Sequence, residues 1–266
     1  MKKFGLILFS IFVFMVCVYF LLLPPKDEFA ESDLYDSIIA RGKIRVGINT
    51  ESKPFSFIDS NGRIVGFDVD LARYIAQYLL KDPERLEIVP ITISNRLIKA
   101  STGEVDIVIS TVTINPQREA VLSFSIPYDV AGQSLLVRSN SAITSISDLA
   151  GQPVGVIFGT TAEKNIKNLV PTANLRGFRS YDNAYKALKA GKINAITSDD
   201  TLLSRFAIDD KSVKLLPKRY SYEPYGIAFK KGESTVKLKE NLDFAIRDMK
   251  QKNVITRLRR KWCVGI

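Results

Sequence analysis

The sequence predicts an α/β protein of two lobes joined by two crossing strands, and three observations carry that expectation. From Lys43 onward, short runs of period two alternate with longer runs of helical period, as when "KIRVGI" is followed by "GFDVDLARYIAQYLL". Alternation of this kind builds α/β units on largely parallel sheets. It comes in two series, one before and one after the extended stretch "AGQSLLVR" at residues 131–138. A last strand-and-helix segment begins at "YGIAF", and placing it in the first lobe makes the chain pass between the lobes twice. The expected division is residues 40–131 with 224–266 as lobe I and 132–223 as lobe II, after an N-terminal segment (1–25) and a linker (26–39).

Each element has its own warrant. Ile44, Val46 and Ile48 alternate along the first strand, and the turn-rich "NTESKPFSFIDSNGR" follows. The next helix carries Leu71, Tyr74, Ile75, Tyr78 and Leu79 at helical spacing, with Asp68 and Asp70 near its positive N-terminal end. Strand "LEIVPI", a helix from about Asn95 to Thr102, strand "VDIVIS" and a short helix after Asn115-Pro116 complete the first series. The second series reads helix-turn, strand, loop and helix in "SISDLAGQPVGVIFGTTAEKNIKNL". It continues as helix, strand and helix in "DNAYKALKAGKINAITSDDTLLSRFA". "YGIAFKKG" is a strand, and the rest is one long helical region closing at "KW".

The N-terminus stands apart. Met1-Lys-Lys precedes Phe4 to Leu23 without a charge, closed by Pro24-Pro25, which orients the start of the chain toward the cytoplasm and the remainder outside. About 20 apolar residues suffice to span a bilayer. No cleavage site fits, because Glu28 occupies the small-residue position before Ala30 and "FMVC" lacks the small residues that precede a lipid-modified Cys17. An uncleaved anchor is therefore expected, with a cleaved signal peptide as the alternative. Cys17 and Cys263 are too differently placed for a structural disulfide.

Composition excludes several functions. With 46% hydrophobic residues the chain can bury a sizeable core. The formal charge of +10 is scattered among acids, apart from the terminal "RLRRK", which reads as a solvated face of the last helix. Nothing in that pattern points to nucleic acid. The chain has no histidine, which removes Ser-His-Asp and Cys-His catalysis and most catalytic zinc sites. It carries neither GxxxxGK[ST] nor GxGxxG, and no cofactor or metal is implied.

The polar constellations sit on loops beyond strand ends, where open α/β sheets build sites. In "STVTINPQR", Ser110, Thr111 and Thr113 offer hydroxyls, and Arg118 folds back toward them if Pro116 opens a helical turn. A guanidinium fork and several hydrogen bonds are what a buried α-carboxylate requires. In "FGTTAEK", Thr160 and Thr161 follow a strand and open a helix whose free N–H groups can hold an anion. In "AITSDD", one of Asp199 and Asp200 can cap the helix while the other faces the cleft to accept an ammonium group. Asn95-Arg96 opens a helix near the loop that begins at Asn49. Each stretch alone also has a plain structural account as a strand end, a turn, a cap or a surface charge. Together they describe a receptor for a zwitterion.

Several motifs in order carry a family resemblance: "IRVGINTESKPFSF", "GFDVDLARYIA", "GEVDIVISTVTINPQREAVLSFSIPY", "DLAGQPVGVIFGTTAE", "NAITSDD", "YGIAFKKG" and the closing "KW". Over about residues 40–263 the chain resembles the family-3 extracellular solute-binding proteins, the polar amino-acid-binding proteins of bacterial ABC transporters. That resemblance implies a two-lobed periplasmic-binding-protein-like (type II) fold that closes by hinge bending and is not an enzyme. It assigns Arg118 to the ligand α-carboxylate with Thr113 and Thr161 assisting, Asp199 to the α-ammonium, and Ser110 and Thr111 to the same wall. Thr160 belongs to the anion-holding helix start. Asn49 and Ser52 stand where binders of cationic ligands and of glutamine commonly carry an acid and an aromatic, and Arg96 matches a residue that meets a side-chain carboxylate or amide. Glutamate or aspartate is therefore expected as ligand, then glutamine or asparagine. The implied partners are a free amino acid and an ABC permease in the cytoplasmic membrane, with the protein acting as a monomer in the periplasm or tethered to the outer face of that membrane. The alternatives are a membrane-tethered amino-acid sensor domain and, less favoured, a dehydratase acting on arogenate or prephenate. The relatives with that activity carry an extra carboxylate just after the residue matching Asp199, where this chain has Thr201-Leu202-Leu203.

Overall fold

The computed structural model describes Met15 and residues 33–265. Apart from Met15, the N-terminal segment with Cys17 lies outside the described residues, as do residues 26–32 of the linker, and among those described no helix is long and apolar enough to cross a membrane. Asp33 starts helix α1 (Leu34–Arg41), its Oδ1 accepting the N–H of Tyr35 at 2.8 Å, and Gly42 ends it at φ 67°. The chain is thus helical from Leu34, inside the stretch read as a linker, because an Asp cap and a left-handed Gly bracket it.

The first sheet grows around β1 (Ile44–Asn49), whose alternating Ile44, Val46 and Ile48 are fully buried. A three-stranded ribbon forms from β2 (Glu51–Ser52) and β3 (Ser56–Ile58) within the turn-rich stretch and β4 (Ile64–Val65) just after it. Helix α2 (Phe67–Leu80) then covers the sheet with Phe67, Leu71, Ile75 and Leu79. β5 (Leu86–Ile91), α3 (Arg96–Ser101), β6 (Ile107–Thr113), α4 (Pro116–Glu119), β7 (Leu122–Phe124) and β8 (Asp129–Ala131) follow. The chain crosses at Gly132 into β9 (Gln133–Arg138) and builds a second sheet.

A 3₁₀ turn (Ile146–Leu149), β10 (Pro153–Ile157), α5 (Thr161–Leu169), β11 (Asn174–Phe178) and α6 (Tyr181–Lys189) come next. β12 (Ala195–Asp199), α7 (Asp200–Asp209) and β13 (Val213–Leu215) complete this half. The chain returns in β14 (Glu223–Lys230), then runs through a second 3₁₀ turn (Glu233–Thr235) into α8 (Val236–Gln251) and α9 (Val254–Trp262). The long helical region is therefore two helices, broken where Asn253 adopts φ 55°. Cys263, just beyond α9, is an exposed free thiol.

The first sheet has the order β5-β1-β6-β14-β7, with β8 also on β14, and the second β11-β10-β12-β9-β13. β1 is parallel to β5 and β6, and β10 is parallel to β11 and β12, while β14 and β9 run antiparallel to their neighbours. The α/β alternation and the double crossing follow the sequence expectation, but the sheets are mixed rather than largely parallel, with four parallel pairings and five antiparallel ones, because β9 and β14 enter each sheet against the direction of its other strands. The two crossing segments pair with each other, Glu223 opposite Ala131. Asp200 fastens that crossing: its Oδ1 accepts the N–H of Gly132 at 3.1 Å and of Thr201 at 2.9 Å, and its Oδ2 takes Arg219 Nε at 2.7 Å.

Candidate functional site

β6 ends the first sheet centrally, and the loop after it turns back because Asn115 caps α4. Its Oδ1 accepts the Arg118 N–H at 3.0 Å, and Pro116 supplies the preset φ of the first turn. The turn folds the Arg118 side chain inward, where Nη1 donates to the Thr113 carbonyl at 2.8 Å. Only 8% of Arg118 remains exposed, and burial together with the Arg96 charge lowers its pKa to about 10. Arg118 Nη2 reaches the carbonyl of Gly159, on the loop after β10, at 3.5 Å. The two sheets thus meet at this point.

Arg96, at the start of α3, enters the same space. It is 3% exposed and donates through Nη1 to the Ser110 carbonyl at 2.5 Å and, more weakly, to that of Thr111 at 3.4 Å. Its Nε and the Ser110 hydroxyl are buried with no protein partner. Such groups are costly unless something else bonds to them. Burial lowers the Arg96 pKa, while Tyr181, Asp199, Tyr225 and Tyr128 oppose that shift.

From the other sheet, β12 delivers Asp199, 7% exposed, and its Oδ2 accepts the Tyr225 hydroxyl at 2.5 Å. Burial first, and then the nearby Glu223 charge, push its pKa up to about 7, against the Tyr225 hydrogen bond and Arg96. Asp199 is therefore a buried carboxyl whose ionised form lacks full compensation from its surroundings. Asp200 serves the crossing and the helix start, so the adjacent acids divide the work between structure and cleft.

Thr160 stands at the N-cap of α5, yet its hydroxyl turns back to the Ile157 carbonyl at 2.8 Å and caps no N–H. The Thr161 hydroxyl donates instead to Glu223 Oε2 at 2.8 Å. Glu223, buried at the head of β14, also takes Asn165 Nδ2 at 3.0 Å and the Ser221 hydroxyl at 2.7 Å. Asn49 and Ser52 bond mainly within their own loop: Ser52 Oγ donates to Asn49 Oδ1 at 2.8 Å, and Asn49 Nδ2 reaches the Ile91 carbonyl at 3.4 Å.

Two cavities flank the contact at Gly159. One of about 600 Å³ is lined by Arg118, Asn115, Thr160, Thr161, Lys164 and Asn165, and one of about 630 Å³ by Asn49, Ser94, Phe158, Arg179 and Asn183. Gly159 itself has φ 78°, and a Cβ there would lie 3.5 Å from the Ile93 carbonyl. Among the described residues no group of three or more Asp, Glu, His or Cys is arranged to hold a metal ion.

Residues 44–265 match the family described as bacterial extracellular solute-binding proteins, family 3. The chain belongs to that family. Over 268 residues, 98% of this chain and 97% of the relative, it is 33% identical to the ABC transporter glutamine-binding protein GlnH of Bacillus subtilis (strain 168). It is 36% identical over 200 residues to a glutamine-binding protein of Geobacillus stearothermophilus, covering 74% of this chain and 76% of that one. Among solved structures it is similar to an ancestral amino acid-binding protein described as a precursor of cyclohexadienyl dehydratase. The TM-score there is 0.79 at 34% identity, covering 86% of this chain and 98% of that chain.

Within this solute-binding fold, the structure brings Arg118, Arg96, Ser110, Thr111, Thr113 and Asp199 to one buried region, with Thr161 reaching it through Glu223. Thr160 lines the cavity beside Arg118, Asn49 lines the one on the other side of Gly159, and Ser52 supports Asn49. Sequence reasoning missed Glu223, Tyr225, Tyr128 and Asp68. Glu223 and Tyr225 are the first and third residues of β14 and so share a face, but the sequence reading began that strand only at Tyr225.

Proposed function

We propose that this chain is the extracytoplasmic amino-acid-binding component of an ABC importer, with glutamine as its preferred ligand. The observation that carries the proposal is that the two sheets bring buried Arg118 and buried Asp199 within electrostatic reach of each other, the Asp199 carboxyl being pushed up to about 7 by burial and the Glu223 charge. Arg118 takes the α-carboxylate with Thr113 and the start of α5 assisting, and Asp199 takes the α-ammonium. Ser110 and Thr111 form the adjoining wall, the free Nε of Arg96 meets the ligand side chain, and Asn49 and Ser52 shape the far end.

Glutamine moves ahead of glutamate and aspartate, which the Asn95-Arg96 pair alone suggested. Two guanidiniums, Arg96 and Arg118, already face two carboxylates, Asp199 and Glu223. A zwitterion with a neutral amide keeps that balance, whereas glutamate adds a buried negative charge that must be neutralised. The glutamine-binding relatives support the same order. The lobes in this reading are residues 40–131 with 224–266, and 132–223, closing on the ligand as a monomer at the outer face of the cytoplasmic membrane, held there by the apolar segment 1–25. The closed form is then offered to a permease.

A dehydratase reading has one favourable feature, the high pKa of Asp199, which is suited to proton donation. Against it, Asp200 is committed to the crossing, and Thr201, Leu202 and Leu203 supply no further acid. Prephenate left unconverted by the purified protein retires that reading. The proposal itself is tested by thermal-shift measurements with every amino acid on protein unfolded and refolded to strip carried-over ligand. Glutamine at about 100 times its Kd should add roughly 2.7 kcal/mol of stability. No shift with any amino acid overturns it.

A further inference from the structure

Thr111 is a β-branched residue at φ 46°, a backbone region that such residues rarely occupy. The strain coincides with a break in the ladder: Val112 pairs with Gly226 and Val108 with Ala228, so four residues of β6 span what two cover on β14. An interruption of this kind re-aims a strand. Here it presents the carbonyls of Ser110 and Thr111 to Arg96 Nη1, so the same backbone kink fixes the buried guanidinium.

What holds the kink comes from beneath the sheet. The Thr111 N–H donates to the Tyr128 hydroxyl at 3.2 Å, and that hydroxyl donates in turn to Asp68 Oδ1 at 3.5 Å. Tyr128 is 1% exposed and Asp68 fully buried. The ring is fixed between Phe67 and Tyr225, with centroids 6.1 and 6.2 Å away. Asp68 is an expensive residue to bury, since its Oδ2 has no partner and its neighbour Asp129 is also acidic. By accepting a hydrogen bond from the phenol, Asp68 orients the hydroxyl so that a lone pair faces the Thr111 N–H.

We propose that Asp68 and Tyr128 are positioning residues that clamp Thr111 in its left-handed conformation, thereby setting the wall of the ligand site and the place of Arg96. Only the consequence for binding rests on the function proposed above, because the clamp itself is a property of the ligand-free fold. The clamp predicts a conditional effect. Glycine adopts positive φ without strain, so a chain with Thr111→Gly needs no clamp.

The test is a double-mutant cycle on the full chain, read by denaturant unfolding without ligand and by titration with L-glutamine. Tyr128→Phe should reduce both the folding equilibrium and the glutamine affinity about tenfold in the native background, and less than about twofold in the Thr111→Gly background. Asp68→Leu should behave like Tyr128→Phe, while Asp68→Asn, which keeps an acceptor oxygen, should retain most of the affinity. Equal losses from Tyr128→Phe in both backgrounds overturn the clamp. Coupling in stability with glutamine affinity unchanged by Tyr128→Phe overturns its positioning role. If the unaltered protein binds no glutamine, the functional reading falls and the unfolding cycle still decides the clamp.

Discussion

Arg118 and Arg96 are two buried guanidiniums with different tasks. Arg118 faces the cavity beside the start of α5, and removing it by Arg118→Ala should weaken every amino-acid ligand by about 2–5 kcal/mol, because it leaves the carboxylate buried and unpaired. Arg96→Ala should instead change which amino acid is preferred, since its Nε, buried without a protein partner, is the group proposed to meet the ligand side chain. Isothermal titration of several amino acids against both variants checks this, and equal losses for all ligands at both positions would contradict it. If Asp199 takes the ammonium as proposed, binding should depend on pH. Its carboxyl is raised to about 7 in the ligand-free protein, and a bound ammonium favours the ionised form. Affinity should therefore fall as pH drops below 7, by up to about tenfold per unit, and level off above 7. Asp199→Asn should flatten that profile. Asp68, raised to about 8 by burial and Asp129, acts on stability with a definite sign. The native state keeps a proton that the unfolded chain releases near pH 4, so this residue costs stability as pH rises from about 4 to 8. The stability of Asp68→Asn relative to the native sequence should rise across that window, which denaturant unfolding at several pH values measures.

At the scale of elements, the glycine before α2 shows how tightly the site's support is built. Gly66 has φ 134°, and a Cβ there would lie 2.2 Å from the Phe55 carbonyl oxygen. Gly66→Ala should destabilise the fold by about 3 kcal/mol or more, read from the unfolding midpoint. Most elements were legible in the sequence because their faces differ: β1 and α2 repeat apolar residues at 2 and 3.6, and Asn115-Pro116 announces the turn that aims Arg118. The strands β11 and β13 were not: both lie at sheet edges, β11 is mostly exposed so that no apolar alternation shows, and β13 is only three residues long. The break at Asn253 was hidden too, as no glycine or proline marks it. The kink at Thr111 was invisible for a deeper reason. Local sequence favours an extended Thr, and the left-handed backbone exists only because Tyr128 and Asp68 arrive from elsewhere in the chain.

For the whole molecule, the division of labour follows from topology. The first half supplies both guanidiniums, Arg118 from α4 after β6 and Arg96 from α3, and the second supplies Asp199 and the α5 N-terminus, so the proposed zwitterion site needs both. Glu223, on the returning strand, links the two by holding Thr161 and Asn165. The exposed ion pair across the cleft, Lys53 with Asp209 at 3.8 Å, contributes little to closure. The central claim is that Arg118 and Asp199 hold opposite ends of one α-amino acid. Calorimetric titration with glutamine, glutaramic acid and 4-aminobutanamide tests it, since the second lacks the α-ammonium and the third the α-carboxylate. Glutamine should bind, and each analogue should lose at least about a hundredfold in affinity. Binding of either analogue as tight as that of glutamine would contradict the account.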